Sequence, residues 1–177
     1  MRLRLAAMLA GLVLTATCWA QATEYQVKAA FLYKFGGYVE WPADALGGAG
    51  APFTVGVMGA EELAAELSQI TSGRSTSGHP ISVRSLRPGD PLEGLQVLFV
   101  GRDDAAHLPQ ILDALHGRPV LVVTESDDGL PDGSMINFVL VDDKVRFDIA
   151  PASAEHGNLR ISSRLLAVAR RVVGGQS

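Results

Sequence analysis

Four short apolar runs decide what this chain can fold into: Phe53–Met58, Leu95–Val100, Val120–Val123 and Met135–Val141. Each is far shorter than the roughly 20 residues a membrane-spanning helix needs. Runs of this length with few polar side chains read as strands buried on both faces, the pattern of a parallel sheet covered by helices. The intervening segments agree. Glu61–Ile70 places Leu63, Leu67 and Ile70 on one side of a helix. Pro109 suits a first helical position, Leu112 and Leu115 come after it, and Gly117 suits a helix stop. Ile81–Ser85 alternates as a half-buried strand does. This order predicts an α/β fold, a single three-layer domain with a mixed, mostly parallel sheet of about six strands and flanking helices.

The end of the chain breaks the rhythm. Met135–Val141 and Lys144–Ile149 are separated only by Asp142-Asp143, which predicts a C-terminal β-hairpin. Val145, Phe147 and Ile149 alternate with Lys144, Arg146 and Asp148, so one face is wet and the strand lies near a sheet edge. Ser162–Val173 reads as an amphipathic helix, with Leu165, Val168, Ala169 and Val172 on its apolar side and Ser162-Ser163 as its cap. A helix is also expected over Thr23–Tyr38. Thr23 and Gln26 form a capping box, and Val27, Ala30, Phe31, Lys34, Phe35 and Tyr38 mark its core face. Gly36-Gly37 weakens its end and Pro42 stops it.

The first residues read as a secretory signal over 1–22: Arg2 and Arg4, an apolar run from Leu5 to Leu14, and small residues at Ala20 and Ala22 before the cleavage point. The residues before Cys18 do not form a lipidation motif. Cleavage removes the only cysteine, so the remaining domain (23–177) has no disulfide and no thiol for catalysis or metal binding. It also removes two of 15 basic side chains and none of 19 acidic ones, deepening the formal charge from −4 to −6. Nucleic-acid binding through bulk charge is therefore not expected. The expected compartment is the periplasm.

Catalytic, cofactor and metal motifs are sought without success. Gly56-Val-Met-Gly59 stands where a phosphate-binding loop would, but it lacks the third glycine of a dinucleotide loop and the Lys-Ser/Thr of a P-loop. Glu61-Glu62 would repel a phosphate, so a tight turn is the reading. His79, His107, His116 and His156 have no metal-ligand spacing. No Gly-x-Ser-x-Gly elbow supports a serine nucleophile. Asp127-Asp128 and Asp142-Asp143 read as solvated turns, and Asn137, alone in an apolar strand, as a hydrogen-bonded buried amide. The chain is not expected to be an enzyme, and no cofactor or metal is expected.

Aromatic residues concentrate in the first helix and just after it. Phe31, Leu32, Phe35, Tyr38 and Trp41 are the candidate partner-binding residues, because the helix is apolar on more than one side and aromatic side chains dominate interfaces as well as cores. A second reading, a binding module for a small envelope metabolite, would use the crevice at the strand ends of an α/β sheet.

Several segments together resemble the YfiR family of bacterial periplasmic proteins. They are Tyr25–Phe35 running into Val39-Glu-Trp-Pro42, Phe53–Gly59, Val97–Val100, and Met135–Phe138 running through Val145–Ile149 to Leu159–Leu166. The resemblance implies a non-enzymatic repressor of an inner-membrane diguanylate cyclase. It would engage the cyclase's periplasmic region and couple envelope state to cyclic di-GMP and biofilm formation; a homodimer is the expected state. It also implies an outer-membrane lipoprotein that sequesters the repressor. Two departures stand out: cysteines expected in the domain are missing, so redox control by a disulfide does not carry over, and Ala150 stands where Asn is expected.

Overall fold

The computed structural model describes residues 24–174. The signal-peptide reading, Cys18 and the Thr23 half of the capping box lie outside them. The expected runs form strands β2 (Phe53–Met58), β5 (Val97–Val100), β6 (Leu121–Glu125), β7 (Ile136–Val141) and β8 (Lys144–Ile149), joined by β4 (His79–Leu86). Two-residue strands complete them: β1 (Val39–Glu40), β3 (Ser75–Thr76), β9 (Arg160–Ile161) and β10 (Arg171–Val172). Among the described residues, five α-helices pack around them: α1 (residues 24–38), α2 (Glu61–Thr71), α3 (Leu108–Ala114), α4 (Pro151–His156) and α5 (Ser163–Val168).

The main sheet runs β10-β8-β7-β6-β5-β2-β4-β3. Strands β7, β6, β5, β2 and β4 are mutually parallel, β8 is antiparallel to β7, and β10 is parallel to β8. Six long strands make the body of this sheet, as the apolar runs predict. The period of two sorts their side chains onto two faces. Val55, Val57, Val97, Phe99, Leu121, Val123, Ile136 and Phe138 meet α1, α2 and α5 in one core. Met58, Leu98, Val100 and Val122 meet Leu108 and Ile111 of α3 in a second. Gly56 is closely packed here: a Cβ at its position would stand 2.7 Å from Leu86 Cδ1 and 3.2 Å from Leu95, so those side chains would have to shift. Asp142 and Asp143 both have positive φ, 50° and 58°. The two-residue hairpin is therefore of the primed type, whose twist matches that of the strands.

The last expected helix is shorter than its pattern. It ends at Val168, and the chain then turns extended to form β10. Ser162 caps it, its hydroxyl accepting from the Leu165 N–H at 3.3 Å. The helix gives way because Asp148, which has no exposed side-chain surface, captures the two arginines beyond it. Its carboxylate accepts from Arg170 Nε at 2.7 Å, from Arg170 Nη2, and from Arg171 Nη2 at 3.2 Å. Burial works against the Asp148 charge, but the hydrogen bonds and charges of the two arginines outweigh it and hold its pKa below the usual carboxylate value.

Candidate functional site

Helix α1 crosses the first face of the sheet. Its buried line is Tyr25, Lys28, Ala29, Leu32, Phe35 and, just past the helix, Val39. This corrects the expected face. Val27, Ala30, Lys34 and Tyr38 point outward, and only Phe35 and part of Phe31 serve the core. Lys28 lies on the buried line and is 1 % exposed. Its ammonium reaches the Glu24 carboxylate one turn back and the fully buried Glu125 carboxylate at the end of β6. Once a buried charge has partners of this quality, burial becomes tolerable.

The candidate partner-binding residues divide accordingly. Leu32 and Phe35 are core residues. Phe31 is half-buried, its ring 5.2 Å from Phe147 and 6.2 Å from Phe35. Trp41 is half-buried, edge-on to Phe53 at 5.1 Å. Tyr38 is 39 % exposed. Val27, assigned to the core on periodicity, is 38 % exposed. Phe31, Tyr38 and Trp41 therefore reach the surface and Leu32 and Phe35 do not. The burial of Lys28 leaves no trace in periodicity, because it depends on a Glu 97 residues away.

Around Lys28 the charges form a network. The Arg102 N–H donates to Glu125 Oε1 at 3.1 Å, and its guanidinium lies 3.4 Å from Asp127 and 3.7 Å from Glu24. Burial works against the Arg102 charge, but Glu125, Asp127 and Glu24 outweigh it and raise its pKa. This network and the adjoining turns occupy the ends of the central strands, where an open α/β sheet would hold a ligand. At Gly101 a Cβ would stand 2.2 Å from the Gly59 carbonyl oxygen, and at Gly59 one would stand 2.8 Å from the Asp104 N–H nitrogen. The two turns at Gly59 and Gly101 are packed against each other, and Gly59, with positive φ, makes the tight strand-to-helix turn. Beside it a cleft of about 680 Å³ is lined by Glu61, Glu62, Asp90, Asp103 and Asp104 against a single Arg87, which disfavours anions.

Asn137 and His79 are held by hydrogen bonds within the fold. Asn137 is fully buried; its Oδ1 accepts from Thr124 Oγ1 at 2.9 Å and from the Ser126 N–H at 2.8 Å, and its Nδ2 donates to Ser126 O at 2.9 Å. His79 Nδ1 lies 2.8 Å from Ala51 O, and His107 lies 3.5 Å from Asp104. Among the described residues no group of three His, Cys, Asp or Glu is placed to hold a metal, and no helix is long and apolar enough to cross a membrane. Val27 and Tyr38 are exposed on α1, with Phe31 half-buried between them over Phe147 of β8, while Trp41 lies apart from them over Phe53 of β2.

The profile of a protein family described as YfiR/HmsC-like matches residues 25–170. No curated protein matches the chain.

Proposed function

The chain belongs to the YfiR/HmsC-like family, a regulatory, non-catalytic family linked to diguanylate cyclase signalling, and from that premise we propose that it is a periplasmic repressor. It binds the periplasmic region of an inner-membrane diguanylate cyclase, holds the enzyme inactive, and so couples the state of the envelope to cyclic di-GMP. It acts as a homodimer, and an outer-membrane lipoprotein competes for it.

The observation that carries this reading is the outward line of α1. A helix that shows solvent Val27, Tyr38 and part of Phe31 has more apolar surface than its own core uses. Tyr and Trp are the side chains that most often anchor interfaces. The acidic strand-end cleft and the backbone packed between Gly59 and Gly101 favour contact over a bound nucleotide.

The test is Tyr38→Ala, alone and with Val27→Ala. Loss of one anchoring ring weakens binding to the cyclase's periplasmic region by about tenfold, and both changes together by more. Cyclic di-GMP output rises in parallel, while circular dichroism and Tm match the parent. Full inhibition by a folded double variant would refute α1 as the docking surface. Failure of the parent protein to bind or inhibit the cyclase would refute the repressor reading as a whole.

A further inference from the structure

Helix α1 carries two apolar lines, and apolar content alone does not choose between them. One line is Tyr25, Ala29, Leu32, Phe35 and Val39, which the structure buries. The other is Val27, Ala30 and Tyr38, which it turns outward, with Phe31 half-buried beside them. The two are related by a roll of roughly 140° about the helix axis. Each line carries one lysine near its middle, Lys28 on the first and Lys34 on the second.

The floor beneath α1 is not neutral between them. Glu125 has no exposed side-chain surface, and one of its oxygens is held by the Arg102 N–H. Its other oxygen meets Lys28. A roll that turns Lys28 outward leaves a buried carboxylate without its ammonium. Lys34 cannot replace it, because six residues along the helix is about 9 Å of rise. A buried ion pair is poor as a source of stability but penalises every arrangement in which its halves part.

We propose that the Lys28–Glu125 pair is the rotational lock of α1, and that Lys28 is a positioning residue for the outward line of Val27, Phe31 and Tyr38. The lock is a statement about this fold alone. Its consequence, that the lock presents the cyclase-docking surface, rests on the function proposed above.

The test neutralises the lock without removing volume: Lys28→Met with Glu125→Gln, the glutamine keeping an oxygen for the Arg102 N–H. Single thiols report the rotation, introduced as Val27→Cys or Leu32→Cys in a Cys18→Ser full-length chain, so that each is the only cysteine. With the lock intact, the thiol of Val27→Cys reacts with maleimide at least about a hundredfold faster than that of Leu32→Cys, because the second is reached only by opening. With the lock neutralised, the contrast falls below about tenfold while Tm is held or raised. An unchanged contrast in a folded double variant overturns the lock. A double variant that melts well below the parent or does not fold also overturns it, because the pair then serves stability. Cyclase binding, measured on the same variants, separates the two claims. Collapse of the contrast with binding intact supports the lock and refutes α1 as the docking face.

Discussion

Replacing Asp148 with Asn should detach the end of the sheet, and by an amount that depends on pH. Asp148 lies in β8 with no exposed side-chain surface and is the single acceptor for three guanidinium contacts, two from Arg170 and one from Arg171. Asparagine keeps the shape and one acceptor oxygen but turns an NH2 toward arginine donors. A hydrogen bond to a charged group contributes about 1.5–3 kcal/mol. Because Arg170 and Arg171 reach solvent, screening trims the sum. The expected loss at pH 7 is about 2 kcal/mol, a Tm drop of roughly 4–8 °C for a domain of this size. Amide exchange should quicken first at Arg170 and Val173, whose N–H groups donate to Phe147 and Ile149 at 2.8 and 2.7 Å. The sign with pH is set by the lowered pKa of Asp148. Stability from this carboxylate is complete above its unfolded pKa of about 3.9 and is lost as pH falls through the folded value. Urea unfolding of parent and variant should therefore give curves that differ at pH 7 and draw together below about pH 4. A gap that is absent at pH 7, or that stays constant down to pH 3, would show that the arginines add nothing through charge.

Two further substitutions probe the backbone. Gly101→Ala places a methyl 2.2 Å from the Gly59 carbonyl oxygen, a clash with backbone that no rotamer relieves; it should cost more than about 3 kcal/mol, read by urea unfolding, and a loss under about 0.5 kcal/mol would mean that the two turns separate freely. Asp143→Gly removes a left-handed non-glycine residue from an exposed hairpin turn and should stabilise by about 0.5–1 kcal/mol; a lower Tm would reveal a role for the Asp143 side chain.

Local pattern controls the parts of the fold that are plain in the sequence. The runs at Phe53, Leu95, Val120 and Met135 become the central strands because continuous apolar stretches of that length have few alternatives. Asn137 lies in such a run and finds its partners in Thr124 and Ser126. The Ser162 cap and the two-residue hairpin turn are equally local. Long-range contacts override pattern elsewhere. Periodicity continues the last helix through Val172, but the buried carboxylate of Asp148 draws Arg170 and Arg171 into a strand. Helix α4 is six residues with no apolar repeat, and β9 is two residues that exist only beside β1. Of the candidate site, the helix and its aromatic content are legible. The burial of Lys28 is not, because a lysine gives no sign that a glutamate on β6 awaits it.

Strand β1 meets β9 through Val39 opposite Ile161, and the Ser162 N–H donates to the Tyr38 carbonyl at 2.9 Å. The front of the chain is thus sewn to a stretch near its back. Closing so long a loop comes late in folding. Helix α1 cannot reach its final seat until the segment around residue 161 is in place, so its apolar residues stay open to chaperones or to a waiting partner until that contact closes.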